Sequence, residues 1–362
     1  MKRKNLNPNL DELILELIHV WRKFLKINGP QDHLQTREFR SVVEEIKKFR
    51  GASSFKTREA LAAYCLYYFP LHYAEGLSLL GELPFTPKRV LDLFSGPAPF
   101  SLAAMEFGAS EVVALDENAD ALRLGAEILG RQGYTFTQRV WNWPKPIGDI
   151  GLFDLIILGY TPDIPNNIFD YLTDEGCILV VDSSWPEANN KLLKLRDEWV
   201  EKGLHVVAPC IYKGKCPALL QKAPCFAQRE YKKPHLMAEI QRSAEINLSS
   251  LKMSYLIVSK KSYIDTQEPL YRVVSPALQT RFGKRYSLCG QEGYKSLGTR
   301  LKEHPKETKA FDYLQRGDVV LVKDAFISKD TFEIIENTQL TVESAVGKPI
   351  PFKYQQKSSE PS

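Results

Sequence analysis

Residues 89–99 read RVLDLFSGPAP, an apolar run with one carboxylate that leads into a turn of small residues. The first six residues predict a buried β-strand, and SGPAP predicts a turn that opens a helix carrying Phe100 and Leu102. The segment EVVALD at 111–116 predicts a second strand that ends in an acid, and a further helix follows it. This alternation is typical of a parallel sheet with helices on both faces, so the sequence predicts an α/β fold.

Polar residues at the ends of these two strands indicate a nucleotide site. Asp92, Gly96 and Asp116 have the spacing of a class I S-adenosylmethionine (AdoMet) fold, in which the acid after the second strand accepts hydrogen bonds from both ribose hydroxyls. A dinucleotide oxidoreductase is less favoured because SGPAP lacks successive glycines. The candidate cofactor-binding residues are Asp92, Ser95, Gly96, Asp116 and Asn142.

The sequence departs from the usual AdoMet-binding motif at two positions of the loop. Phe94 and Ala98 place side chains where a glycine-rich loop brings its backbone close to the cofactor. Helix capping and loop solvation are the structural alternatives for Asp92 and Asp116. After the fourth strand, GYTPD at 159–163 differs from the Asn/Asp-Pro-Pro-aromatic sequence of amino methyltransferases, so no catalytic residue is assigned.

Four domains are predicted around this sheet. Residues 1–86 form a helical domain, with helices over 9–27, 36–50 and 57–69, the last ended or kinked by Pro70. Residues 87–262 form the class I methyltransferase-like domain, with further strands at 153–160, 177–184, 204–209 and 253–261. A cysteine-containing insertion, about 208–250, separates the last two strands. Residues 263–330 form a small, mostly β domain with strands at 271–275, 286–289 and 318–326, and 331–362 form a tail.

Cysteines in the insertion indicate a metal centre. Cys210, Cys216 and Cys225 lie within sixteen residues of one another, and Cys289 is the best fourth ligand. A bound metal would join the insertion to the C-terminal region. The absence of a Cys-x-x-Cys pair weakens a zinc ribbon and favours a loosely spaced four-thiolate iron–sulfur site, with free cysteines as the third alternative. Cys65 and Cys177 have apolar surroundings typical of core residues.

Basic residues with interleaved aromatics follow the same segment and predict RNA contact, because cations bind phosphates and aromatic rings stack on unpaired bases. This basic run, or the second one in the C-terminal part, would more often mark a solvated face if it were considered alone. The candidate RNA-binding residues are Lys213, Lys215, Lys222, Arg229, Lys232 and Lys233, and the C-terminal part adds Arg281, Lys284, Arg285, Lys295 and Arg300.

Composition and charge restrict the class of protein, its partners and its localisation. The 362 residues are 44% hydrophobic, enough to bury a real core, and the net charge of +4 does not by itself indicate nucleic acid. No apolar run is long enough to span a bilayer. Asp11, Glu12 and Glu16 argue against an organelle transit peptide. We therefore expect a cytoplasmic monomer without a membrane partner.

Together the motifs resemble the methyltransferase-like assembly factors of the mitochondrial small ribosomal subunit and their bacterial relatives. The resemblance implies that Cys210, Cys216, Cys225 and Cys289 ligate a [4Fe–4S] cluster, and that the protein binds small-subunit ribosomal RNA or a ribosomal precursor. It also implies AdoMet as a cofactor. The segments that carry it are AYCLYYFPLHYAE (63–75), VLDLFSGPAP (90–99), CFAQR (225–229), SYLIVSKK (254–261), YRVVSP (271–276) and LCG (288–290).

The leading hypothesis is an RNA-binding small-subunit assembly factor with a methyltransferase fold and an iron–sulfur cluster. An active AdoMet-dependent methyltransferase of ribosomal RNA is the enzymatic alternative. A third hypothesis is a non-ribosomal methyltransferase, acting on protein or a small molecule, with a structural zinc site.

Overall fold

The computed structural model describes residues 10–28, 34–48, 57–161, 163–281, 283–290, 292–301 and 303–354. The chain divides into two compact units. The first comprises residues 1–80, 86–173 and 230–251, and the second comprises 81–85, 174–229 and 252–362. No helix in the described ranges is long and apolar enough to cross a membrane.

The first unit begins with α1 (Leu10–Leu25), α2 (Thr36–Lys48) and α3 (Arg58–Leu80), which confirms the predicted helices. Of the two predicted effects of Pro70, a helix end or a kink, the helix end is wrong, because α3 continues for ten residues beyond Pro70. A proline inside a helix costs about 3 kcal/mol. Seventeen of the 23 residues of α3 are buried, and α1 and α2 both pack on it, so burial offsets that cost.

A parallel sheet follows in the same unit, with strand order β3-β2-β1-β4. Its four strands pair in parallel, as the alternation of strands and helices predicts, so the α/β fold class is confirmed. The elements are β1 (Arg89–Leu93), α4 (Pro99–Phe107), β2 (Glu111–Asp116), α5 (Ala119–Arg131), β3 (Thr137–Val140) and β4 (Phe153–Gly159).

The chain continues through a second group of strands, of which β5, β8 and β6 lie side by side and pair antiparallel in the second unit. Because β6 and β8 are partners, the cysteine segment is an insertion between the two strands predicted as the last of the sheet, and it carries the short strand β7, which pairs with β8. The elements are β5 (Leu172–Ser183), α6 (Pro186–Glu201), β6 (His205–Ala208), α7 (Pro217–Leu220), β7 (Ala227–Glu230), α8 (His235–Ser243) and β8 (Ser250–Ser259).

The C-terminal sheet has the strand order β14-β15-β12-β11-β9-β13-β16, with β10 paired to β11. β12, β15 and β16 were not predicted, and the last two fall in the range 331–354 that the sequence assigned to the tail. Residues 355–362, the rest of that tail, lie outside the described residues. The strands are β9 (Leu270–Val273), β10 (Leu278–Thr280), β11 (Gly283–Gly290), β12 (Gly293–Thr299), β13 (Val319–Lys323), β14 (Phe326–Ser328), β15 (Thr331–Ile334) and β16 (Gln339–Ser344).

One apolar cluster of the second unit ties the cysteine insertion to the C-terminal sheet. Ile211, the residue after Cys210, is buried together with Ile264, Leu270 and Val319. The insertion therefore shares a core with β9 and β13, and hydrophobic burial holds its first residues in place.

Candidate functional site

The loop after β1 has a left-handed backbone at three alternate residues. Phe94, Gly96 and Ala98 have φ values of 58°, 54° and 65°. Only glycine adopts this region without cost, so Phe94 and Ala98 each carry about 1 kcal/mol of backbone strain. The amide of Ser95 donates to the carbonyl of Leu115 at 3.1 Å, which fixes the loop to the end of β2. The loop thus has the conformation of a glycine-rich turn with larger residues at two positions.

Asp116 lies at the end of β2 and fixes the loop through its side-chain hydrogen bonds. Its Oδ2 accepts from the amide of Gly96 at 2.8 Å, and its Oδ1 accepts from the amide of Asn118 at 2.8 Å. Burial raises the pKa of this carboxyl. A carboxylate has about four acceptor positions, so two remain for ribose hydroxyls.

Asp92 and Ser95 carry buried polar atoms that face no protein partner. Asp92 is 1% exposed, and its Oδ2 accepts from the Ser101 hydroxyl at 2.6 Å. In the described part of the chain its Oδ1 and the Oγ of Ser95 have no hydrogen-bond partner. Burial raises the pKa of Asp92 to about 7. Because buried polar groups are normally satisfied, these two atoms indicate a place for a polar ligand.

Aromatic rings border the same loop. The ring centroid of Phe94 lies 5.2 Å from that of Trp141 and 6.2 Å from that of Trp143. Trp141 is buried, and its indole N–H donates to the carbonyl of Lys145 at 2.8 Å, whereas Asn142 is exposed. Phe94 and Trp143 are half-buried and offer ring faces for a base. The sequence did not single out Trp143, although its spacing from Trp141 is the signal.

A buried polar cluster that the sequence missed lies at the end of β4. Tyr160 stacks on His72 with ring centroids 4.1 Å apart, and its hydroxyl donates to Glu75 Oε2 at 2.7 Å. His72 Nδ1 lies 2.7 Å from the Tyr64 hydroxyl. Burial raises the pKa of Glu75 to about 8 and lowers the pKa of His72 to about 3, so both groups are neutral at pH 7. The position where amino methyltransferases carry their Asn/Asp-Pro-Pro motif is therefore occupied by helix α3 side chains and Tyr160.

Helix α6 organises the cysteine insertion through side chains on one face. Arg196 is 2% exposed and donates to the carbonyls of Tyr212 and Gly214. Asp197 Oδ1 accepts from the Cys216 amide at 3.0 Å. Asn189, two turns earlier, donates to the carbonyl of Cys225 at 2.6 Å. These bonds hold the backbone on both sides of the cysteines.

The four candidate ligands lie within electrostatic range of one another. Burial, with the neighbouring sulfurs of Cys210 and Cys216, raises the pKa of the Cys225 thiol to about 12. Burial also raises the pKa of Cys289, and Cys210, Cys225 and Cys216 add to that rise. Charge effects of this kind require short separations. Cys289, in β11, thus interacts electrostatically with the three cysteines of the insertion.

No group of three or more His, Cys, Asp or Glu side chains in the described ranges has an arrangement that could hold a metal ion. All six cysteines are free thiols. Cys65 and Cys177 are fully buried, as expected of core residues.

Arginines surround the four thiols. Arg196 and Arg316 lower the pKa of nearby cysteine thiols, Arg196 at Cys216 and Cys289, and Arg316 at Cys225. Arg272 pairs in register with Cys289 across β9 and β11, so both side chains leave the same face of the sheet. Arg316 also lies 4.1 Å over the Phe226 ring and donates to the Phe226 carbonyl at 3.1 Å. Burial outweighs these arginines, so the pKa values of Cys216, Cys225 and Cys289 stay above the ordinary thiol value, and the thiols are neutral at pH 7 without a metal.

The candidate RNA-binding residues are not alike in exposure. Arg229 is 6% exposed and donates to Glu82 at 2.6 Å, so we remove it from the candidate surface. The remaining residues are exposed; Lys213, Lys215 and Lys222 lie in the second unit, and Lys232 and Lys233 lie in the first.

Comparison with solved structures returns methyltransferases. One is the precorrin-6Y C5,15-methyltransferase of Geobacter metallireducens, at 17% identity and a TM-score of 0.35, over 57% of this chain and 90% of that one. Another is the ribosomal protein L11 methylase of Lactobacillus delbrueckii subsp. bulgaricus, at 14% identity and a TM-score of 0.32, over 53% and 77%. No curated protein matches the chain.

A family model described as mitochondrial small ribosomal subunit Rsm22 matches residues 58–319. The match includes α3, the loop after β1, the cysteine insertion and Cys289. Because it covers well over half of the 362 residues, the chain belongs to the mitochondrial small ribosomal subunit Rsm22 family.

Proposed function

We propose that this protein is an RNA-binding assembly factor of the small ribosomal subunit, and that Cys210, Cys216, Cys225 and Cys289 hold a [4Fe–4S] cluster. The proposal is supported by the electrostatic interaction of Cys289, in β11, with the three cysteines of the insertion, and by Ile211, next to Cys210, which packs on Leu270 of the strand that pairs with β11. The family description, which names the small ribosomal subunit, supports the ribosomal part.

The chemistry of the donor set fits such a cluster. Four thiolates on a [4Fe–4S] core leave a net negative charge, and Arg196, Arg272 and Arg316 surround the sulfurs and offset it. Burial raises the pKa of Cys216, and the backbone amides of Leu219 and Ala218 partly offset this rise by donating to its sulfur, as donors around metal-bound thiolates do. With all four ligands supplied by the chain, the cluster has no open iron, which favours a structural or redox-sensing role over substrate chemistry.

The cluster would couple metal loading to the RNA surface. Three ligands belong to the insertion, which also carries the exposed Lys213, Lys215 and Lys222, and the fourth belongs to β11. Without metal, the described contacts that hold this segment are its hydrogen bonds to α6, the contact between Arg316 and the Phe226 ring, and the apolar contacts of Ile211. Metal binding at such a site contributes directly to folding.

A salt series tests this function. We expect anaerobically purified protein to retain a small-subunit ribosomal RNA fragment at moderate salt, and we expect chelator-treated protein to bind it at least about tenfold more weakly, because phosphate contacts depend on an ordered basic segment. Filter binding from low to high salt measures both. As a control, Lys213→Ala/Lys215→Ala/Lys222→Ala in the loaded protein should reduce affinity and flatten the salt dependence. Loaded protein that releases RNA at every salt concentration would contradict the proposal and favour a non-ribosomal methyltransferase.

The loop after β1 fits AdoMet as a second ligand, and the unpartnered Asp92 Oδ1 and Ser95 Oγ are the observation that favours it. Asp116 would accept from the ribose, Gly96 would allow the backbone to approach, and Phe94, Asn142 and Trp143 would border the base. Bound AdoMet supplies an activated methyl group. Transfer of this methyl group to ribosomal RNA is the enzymatic alternative.

Calorimetric titration with AdoMet distinguishes these roles. Wild-type protein should bind, and Asp116→Ala should weaken binding at least about tenfold because the ribose acceptor and the anchor of the Gly96 amide are both lost. Glu117→Ala, an exposed neighbour on the same turn, is the matched control and should bind normally. Absence of heat from the wild type would leave a scaffold without cofactor, and equal binding by Asp116→Ala would exclude this acid from the site.

A further inference from the structure

A cavity of about 650 Å³ lies where β11 begins and β12 ends, within the C-terminal sheet. It is distinct from the loop after β1 and from the four cysteines. Arg281 and Arg300 are exposed at its mouth, and Phe311 is buried in its wall. Its principal lining residues are Arg281, Lys284, Arg300, His304, Phe311 and Asp312.

The structure sorts the five C-terminal cations of the sequence into two groups. Arg285 forms an ion pair with Glu333, and Lys295 Nζ lies 3.6 Å from Asp330 Oδ1, so carboxylates neutralise both. Arg281, Lys284 and Arg300 line the cavity. A solvated charged face would not collect three cations around one concave site, which argues for a ligand.

The single carboxylate of the lining is already engaged. Asp312 Oδ1 lies 2.9 Å from His304 Nδ1, and its Oδ2 lies 3.0 Å from Lys309 Nζ. The described lining thus holds three basic side chains and one carboxylate that is already paired. Lys284 is fixed within it, because its Nζ donates to the Asp312 carbonyl at 3.0 Å and lies over the rings of Tyr286 and Phe311. Such preorganisation reduces the entropy lost when a ligand binds.

We propose that this cavity binds the phosphate group of a nucleotide, with Arg281, Lys284 and Arg300 as the cationic contacts. Its volume lies in the range of small-molecule sites, larger than an inorganic anion needs. Arginine forks match phosphate oxygens, and Leu301 adds an apolar wall for the sugar or base. The nucleotide is either one unit of a single-stranded RNA or a free mononucleotide. The RNA form deepens the proposed function and rests on it, whereas the mononucleotide form does not.

Two probes test the site in the full-length loaded protein: a fluorescent single-stranded RNA of about twelve nucleotides, followed by anisotropy, and AMP, followed by calorimetry. Arg281→Ala/Arg300→Ala removes two exposed cations and should weaken the probe that uses the cavity at least about tenfold, with a smaller salt slope for RNA. Lys329→Ala/Lys348→Ala, which removes two exposed cations outside the lining, should stay within about twofold. Arg300→Gln is a milder second variant in case the double variant does not fold.

Loss of RNA affinity in the cavity variants assigns the site to an RNA strand, and loss of AMP binding alone assigns it to a free nucleotide. Both probes unchanged would overturn the inference. If the wild type binds no RNA but binds AMP through these arginines, the ribosomal proposal fails while the phosphate site stands.

Discussion

Cys289→Ser protein should purify without its metal and melt at lower temperature than the wild type. Cys289 is the only proposed ligand outside the insertion, so its loss removes the link between the insertion and β11 as well as one thiolate. Loss of a structural metal site costs several kcal/mol, and we expect the melting temperature of the unit to fall by at least about 5 °C. Iron content per chain and thermal unfolding followed by circular dichroism measure the two effects.

Cys177→Ser is the matched control. Cys177 is a buried cysteine of the second unit, but it lies in β5 and is not one of the four proposed ligands. It should lose some stability from the buried hydroxyl while keeping the wild-type metal content. Equal metal content in Cys289→Ser and the wild type would remove Cys289 from the ligand set.

Glu82→Gln should destabilise the second unit by about 3–5 kcal/mol, because two buried guanidinium groups lose the carboxylate to which both donate. The Glu82 side chain is 1% exposed and accepts from Arg229 at 2.6 Å, from Arg272 at 3.1 Å and from the Tyr255 hydroxyl at 2.8 Å. The side chain of glutamine has nearly the same shape, so packing is kept and the charge is the main change. Urea unfolding of the variant measures the loss.

Glu201→Ala provides the contrast. Glu201 lies 3.8 Å from Lys215, but both side chains are more than half exposed, and such pairs contribute about 0.5 kcal/mol or less. If Glu82→Gln unfolds at the same urea concentration as Glu201→Ala, the buried network does not stabilise this unit. Because Arg272 is also the cross-strand neighbour of Cys289, we expect Glu82→Gln to bind its metal less tightly than the wild type.

The elements that the sequence predicted best are those in which a single physical signal dominates. Strand β2 begins and ends where predicted, since EVVALD is a continuous buried run bounded by polar turns. The strands β12, β15 and β16 are partly exposed and rich in polar residues, so their apolar periodicity is weak. The local sequence also could not predict that α3 continues past Pro70, because the packing around α3 determines whether the helix ends there.

Some residues of the candidate sites were likewise predicted from a local pattern, and others were not. The spacing of Asp92, Gly96 and Asp116 predicted a loop that the structure builds through the Gly96 amide and the Asp116 carboxylate. Arg229 shows where composition fails, because a basic residue within a basic segment proves to be the buried partner of Glu82, 147 positions away. The cluster of His72, Glu75 and Tyr160 depends on contact between α3 and the end of β4, which no local pattern reveals.

Metal analysis of wild-type protein purified without oxygen tests the central claim most directly. We expect about four irons and four labile sulfides per chain, with a brown colour and a broad absorption near about 400 nm. One zinc per chain in a colourless protein, or no metal at all, would contradict the proposed cluster.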